Sequence, residues 1–195
     1  MARQYRHLTG ATVAVALAAA LGIAALFLLP NSACKRVAVP PNLPEKREMP
    51  SKFPKDTHLP PVRESLASGP IDLATFNPTQ DLVRFECRSV WFESDEDKVR
   101  EEDDHVMHRL AVAPLRCLVS LVEDSGGRLK VQEAYRCTGI HKSRSLHREG
   151  RALDLTCEKM SLSDLAKLCW VAGFDWVYYE APSGGGEHVH CSVKR

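Results

Sequence analysis

The sequence predicts an α+β fold, a small sheet packed with a few helices. Two observations carry that expectation: apolar residues alternate over residues 129–135 and 152–156, and they recur at helical spacing over residues 103–123 and 161–172. A third bears on function. His147, Asp154 and His190 are residue types that ligate zinc, and a set of three leaves a fourth tetrahedral position open.

Taken in order, residues 1–10 carry Arg3 and Arg6 and read as a short cytoplasmic n-region. Residues 11–29 run almost without polar interruption up to Pro30, and about 20 apolar residues suffice to span a bilayer. A signal anchor is the favoured reading, which makes this a single-pass membrane protein with an extracytoplasmic C-terminal domain. The alternative is a signal peptide cut after Ala33, which would release a secreted chain beginning at Cys34. Residues 30–80 contain Pro40, Pro41, Pro44, Pro50, Pro54, Pro60 and Pro61 and no sustained apolar period, so they read as a semi-rigid linker. Residues 81–195 then form one small domain.

Within that domain Val106, Leu110, Ala113, Leu118, Leu121 and Val122 suggest an amphipathic helix over residues 103–123, with Pro114 as an interruption or an early-turn residue, ended by Ser125-Gly126-Gly127. Residues 129–135 follow as a strand and residues 136–145 as a loop able to deliver side chains to a metal. The strand at residues 152–156 turns Asp154 to the face opposite Leu153 and Leu155. Ser161 caps a helix, with Asp164 at a capping-box position, that runs to Ala172 before Gly173. Residues 176–180 and 188–193 are two more strands, and the second projects His188 and His190 from one face.

Charge and cysteine content narrow the partners. Lys and Arg number 26 against 25 Asp and Glu, a net charge of +1 with no basic stripe, so a nucleic-acid partner is not expected. Cys87, Cys117, Cys137, Cys157, Cys169 and Cys191 make an even set, which suits disulfides in an oxidising compartment but leaves their pairing open.

The segment from Ser145 to Thr156, with Ala172-Gly-Phe-Asp-Trp-Val-Tyr-Tyr-Glu180 and His188-Val-His-Cys-Ser-Val-Lys194, resembles the amino-terminal signalling domain of Hedgehog proteins. The resemblance is strong over roughly the last sixty residues and extends weakly back to about Arg109. Hedgehog domains share their zinc-site architecture with the M15 family of D-Ala-D-Ala carboxypeptidases and dipeptidases. The implied fold is therefore an antiparallel sheet with a few helices, and the implied zinc ligands are His147, Asp154 and His190. Cys34, were it the new N-terminus, would stand where Hedgehog proteins are acylated, although Lys35 and Arg36 replace their glycine-rich start. No autoprocessing segment follows Arg195, so cholesterol attachment is not expected of this chain.

The same resemblance supplies candidate catalytic residues. Zinc lowers the pKa of its bound water, and a nearby carboxylate takes the proton. Glu180 resembles the Hedgehog glutamate at the place of the peptidase base, and Glu187, three residues before His190, is its rival. Arg136, in Glu133-Ala-Tyr-Arg136, resembles the M15 arginine that stabilises charge on the substrate carbonyl. His141 matches a Hedgehog pocket histidine, and His188 would line the pocket or support the ligands. The resemblance also implies Ca²⁺. Glu133 matches one calcium carboxylate and Glu93, Asp95, Glu96 and Asp97 are available, but Arg136 and Cys137 replace the acidic residues expected after Tyr135. The favoured expectation is an extracytoplasmic zinc peptidase cleaving a small peptide. Its alternative is a non-catalytic Hedgehog-like signalling or adhesion ligand with structural zinc and a cell-surface receptor.

Overall fold

The computed structural model describes residues 47–97, 103–137, 143–184 and 186–195. The predicted membrane segment, Cys34 and His141 lie outside those residues. In chain order the elements are β1 His58–Leu59, α1 Glu64–Ala67, α2 Pro78–Asp81, β2 Leu82–Arg84, β3 Trp91–Phe92, α3 Ser94–Asp97, β4 Val106–His108, α4 Val112–Asp124, β5 Arg128–Glu133, β6 Ala152–Glu158, α5 Leu162–Ala172, β7 Trp176–Glu180 and β8 His188–Ser192. Two 3₁₀ turns span Arg109–Ala111 and Leu146–Glu149. Among the described residues no helix is long and apolar enough to cross a membrane.

Six strands form one sheet in the order β1-β7-β8-β6-β5-β3, and β2 pairs with β4 apart from it. The α+β class stands, but the expected antiparallel sheet is a mixed one. β3 lies parallel to β5, whereas the other pairs of the large sheet are antiparallel. The chain between β3 and β5 runs through α3, β4 and α4, a connection long enough for the crossover that parallel strands require.

One face of this sheet is apolar. Leu129, Val131, Leu153, Leu155, Val177, Val189 and Cys191 are buried in a core with Leu115, Leu118, Val119 and Val122 of α4 and Leu165, Ala166, Cys169 and Ala172 of α5. Alternation along each strand sends the intervening side chains to the opposite face, and the site is built there.

The helix expected over residues 103–123 is shorter than its pattern suggested. Val106–His108 pairs with β2, the His108 side chain accepts the Leu110 N–H at 3.2 Å, and the α-helix begins at Val112. Pro114 is its third residue, where the missing N–H has no helical partner to lose. The buried stripe is Pro114, Leu115, Leu118, Val119 and Val122; Ala113 faces solvent and Leu110 is 42% exposed. The other helix follows its signals: the Ser161 hydroxyl accepts the Asp164 N–H at 3.1 Å and donates to the Asp164 carboxylate, and Gly173 ends the helix at φ 103°.

Part of the stretch read as a linker packs onto the domain. Phe53 joins the core, β1 pairs with β7, Trp176 Nε1 donates to the Val62 carbonyl at 2.8 Å, and the Ser68 and Ser192 hydroxyls lie 2.8 Å apart. Arg151 fastens this stretch down. Its fully buried guanidinium donates to the carbonyls of Ser68, Pro70 and Val193 and to the Glu149 carboxylate. The expected pairing among six cysteines is not found: Cys117, Cys137, Cys157, Cys169 and Cys191 are free thiols, and Cys87 is disulfide-bonded to none of them.

Candidate metal centre

The sheet register assembles the site. Asp154 of β6 lies opposite His190 of β8, which lies opposite Tyr178 of β7, so the three side chains share one row on the face away from the helices. A bulge between Val131 and Glu133 skips one residue and brings Glu133 opposite Asp154. His147 arrives from outside the sheet, on the 3₁₀ turn that Ser145 caps and Gly150 closes at φ 66°. A side chain at Gly150 would sit 2.8 Å from the His108 backbone nitrogen and from Leu82 Cδ2, so glycine is required by space as well as by φ.

One donor atom from each of His147, Asp154 and His190 lies within 4.8 Å of the other two. Asp154 Oδ1 is 3.3 Å from His147 Nε2 and 2.8 Å from His190 Nδ1. The remaining nitrogen of each ring is held: His147 Nδ1 is 2.8 Å from the Ala134 carbonyl and His190 Nε2 is 2.8 Å from Glu64 Oε1. Metal-bound histidines characteristically give their second N–H to a carbonyl or carboxylate, which fixes the tautomer and aims the ligating nitrogen.

The electrostatics agree. Burial opposes charge on His190, but Asp154 and Glu64 outweigh it and push its pKa up to about 10. Burial likewise opposes ionisation of Asp154 and Glu64, yet the histidines hold Asp154 well below the usual carboxylate range, and His190 holds Glu64 below its own. Two ionised carboxylates around two imidazoles form a strong local demand for positive charge, which Zn²⁺ meets by displacing protons. The donor set fits zinc.

These residues floor an open cleft of about 700 Å³ lined also by Glu93, Gln132, Glu133, Arg144, Glu180 and His188. Glu180 Oε2 is 3.5 Å from His188 Nε2, which is itself 3.6 Å from Asp154 Oδ1, so both stand at the mouth of the cleft. Glu187 does not join them: its carboxylate binds Lys55 and the Tyr179 hydroxyl, and the lysine hydrogen bond leads in lowering its pKa. Arg136 is 6% exposed and its Nη2 donates to Asp104 Oδ1 at 2.7 Å, while only its backbone N–H meets the ligand turn, at the His147 carbonyl. That guanidinium lines no part of the cleft.

Of the carboxylates expected for calcium, Glu133 lines the cleft while Glu93 and Asp95 are engaged with a lysine and a histidine, as is their neighbour Asp104 with an arginine. Glu93 pairs with Lys130 at 3.2 Å, Asp95 lies 3.1 Å from His105 Nε2, and Asp104 holds both Arg136 and the Ser94 N–H. Glu96 and Asp97 lie outside the described side chains. This arrangement does not fit Ca²⁺, which takes about six to eight oxygens. Sequence reading missed Glu64 and Arg144. Glu64 sits 126 residues before His190, on the short helix after Pro60-Pro61, and no spacing rule links the two.

The sheet face, the two oriented histidines and the single carboxylate define an α+β domain with a group of three residues able to hold a metal ion. Residues 41–192 match the sequence profile of the Hedgehog amino-terminal signalling domain, and the chain belongs to that family. It is 49% identical over 72 residues to the Indian hedgehog B protein of Danio rerio, covering 35% of this chain and 16% of that protein. It is 46% identical over 72 residues to the Sonic hedgehog protein of the same fish, again 35% of this chain and 16% of that protein. It is 35% identical over 136 residues to Protein hedgehog of Drosophila ananassae, 66% of this chain and 27% of that protein. The chain therefore spans well under a third of the length of these curated relatives.

Family membership overturns the zinc-peptidase reading and the hydrolase roles attached to it. The relatives are signalling proteins of the Hedgehog family. Two residues named for the peptidase reading are engaged elsewhere: Arg136 pairs with Asp104, and Glu187, the rival to Glu180 as base, with Lys55 and Tyr179.

Proposed function

We propose that this chain is a non-catalytic Hedgehog-type ligand for a cell-surface receptor, with a structural Zn²⁺ held by His147, Asp154 and His190. The match over residues 41–192 is the observation that carries it. The oriented ring nitrogens of His147 and His190 support the metal, and the open cleft beside it offers Glu180, His188, Glu93 and Arg144 to a partner. The domain lies outside the cytoplasm, tethered by residues 11–29 or secreted after their removal.

The test is saturable binding of fluorescently labelled protein, secreted from the full-length reading frame, to cells that respond to Hedgehog ligands. Binding competed by unlabelled protein and weakened by Glu180→Arg at the cleft mouth is expected. Absence of saturable binding, or zinc-dependent turnover of a peptide library by the same preparation, would contradict the reading.

A further inference from the structure

Arg151 lies between the turn that carries His147 and β6, which carries Asp154, and it is 1% exposed. Its main chain ties two parts of the centre together. The Arg151 N–H donates to the Leu146 carbonyl at 3.1 Å, and the Arg151 carbonyl accepts the Val193 N–H at 3.0 Å, just beyond the strand that presents His190.

The guanidinium extends that tie to a third segment. Nε and Nη2 both lie 2.6 Å from Glu149 Oε2 on the His147 turn, and Nη1 donates to the Val193 carbonyl at 3.1 Å. The remaining bonds reach the Ser68 carbonyl at 2.6 Å and the Pro70 carbonyl at 2.8 Å. Ser68 closes α1: its N–H donates to the Glu64 carbonyl at 2.8 Å, and the Glu64 carboxylate is the group that holds His190 Nε2. One planar fork therefore joins the segments that carry His147, His190 and Glu64. A lysine would offer a compact charge without that coplanar set of donors. Glu149 is 0% exposed, and its other oxygen accepts the Asp72 N–H at 2.7 Å, so the ion pair holds the strap formed by residues 64–72 at two points.

We propose that Arg151 is a positioning residue for the metal centre. By seating this strap against the His147 turn and the end of β8, it keeps Glu64 on His190 and sets metal affinity without touching the ion. The inference rests on the zinc reading above. Loss of a group that orients a metal-bound histidine lowers affinity by about 10–100-fold, and Arg151 holds the segment that brings Glu64 to that place.

Zinc affinity of the full-length chain is measured by competition with a chromophoric chelator, at a temperature where near-UV circular dichroism reports each variant folded. Arg151→Lys should lower it by about tenfold. In a Glu64→Gln background the same substitution should lower it by much less, since the contact through which Arg151 acts is already gone. Leu165→Ala, in the core on the helix side of the sheet, should lower Tm and leave affinity at the wild-type level. Wild-type affinity in Arg151→Lys, effects of Arg151→Lys and Glu64→Gln that simply add, or an equal loss of affinity in Leu165→Ala each overturn the proposal. If Arg151→Lys does not fold, Ser68→Ala replaces it, removing the hydroxyl contact with Ser192 that seats the same strap. Lowered affinity then supports the proposal and unchanged affinity overturns it. Zinc bound by wild type and equally well by these variants defeats this inference alone, and wild type without zinc defeats the metal reading with it.

Discussion

Asp81 illustrates how a side chain remote from the cleft sets pH dependence. Its carboxylate accepts the Asn77 N–H at 2.9 Å, and this bond, working against burial and aided by His108, Arg195 and Arg109, lowers its pKa. A depressed folded-state value contributes stability that is present above the unfolded pKa of about 3.9 and is lost as pH falls through the lower folded value. Thermal unfolding of Asp81→Asn and wild type should differ at neutral pH and converge in acid; a gap that widens in acid would refute the assignment. At the centre, Glu64→Gln leaves all three ligands in place but removes the carboxylate that holds His190. Competition with a chromophoric chelator should show zinc affinity reduced by about 10–100-fold, and unchanged affinity would remove Glu64 from the site. Asp154 and His190 were legible because strand alternation alone puts a polar residue among apolar ones on a known face. Glu64 was not, because its proximity to His190 exists only after β1 pairs with β7 and draws the chain that follows it over the sheet. Arg136 failed as an expectation for a related reason: a motif states which residue is present but not which buried carboxylate neutralises it.

At the scale of elements, caps and turns were more legible than the sheet. Ser161 and Gly173 bounded α5 as their chemistry requires, and Ser161→Ala should cost about 1 kcal/mol in urea unfolding. An unchanged midpoint would mean the cap contributes nothing. Gly150→Ala is the more severe change, since it adds a positive-φ penalty of about 1–2 kcal/mol to contacts at 2.8 Å with His108 and Leu82. It should also displace the turn that carries His147, so zinc content and stability fall together; a variant that keeps both would show that the turn tolerates a side chain. The start of α4 was misplaced because Val106 and Leu110 satisfy a helical period and a strand period equally well over so short a run. Pairing with β2, a tertiary choice, decides between them. The parallel β3–β5 pair and the Glu133 bulge left no local trace at all, for both are properties of two strands rather than one.

For the whole molecule, the proposed metal site joins β6, β8 and the 3₁₀ turn from one side while α4 and α5 pack the other. Loss of zinc should therefore be felt globally. A ligand held at about 1,000 times its dissociation constant stabilises the folded state by about 4 kcal/mol. For a chain of this size that corresponds to roughly 8–16 °C in Tm, which scanning calorimetry with and without a chelator measures. Native mass spectrometry of the purified full-length chain tests the zinc centre most directly. One zinc per wild-type chain, absent from both His147→Ala and His190→Ala, is the result predicted; wild-type protein without zinc, or zinc retained by both variants, would contradict it.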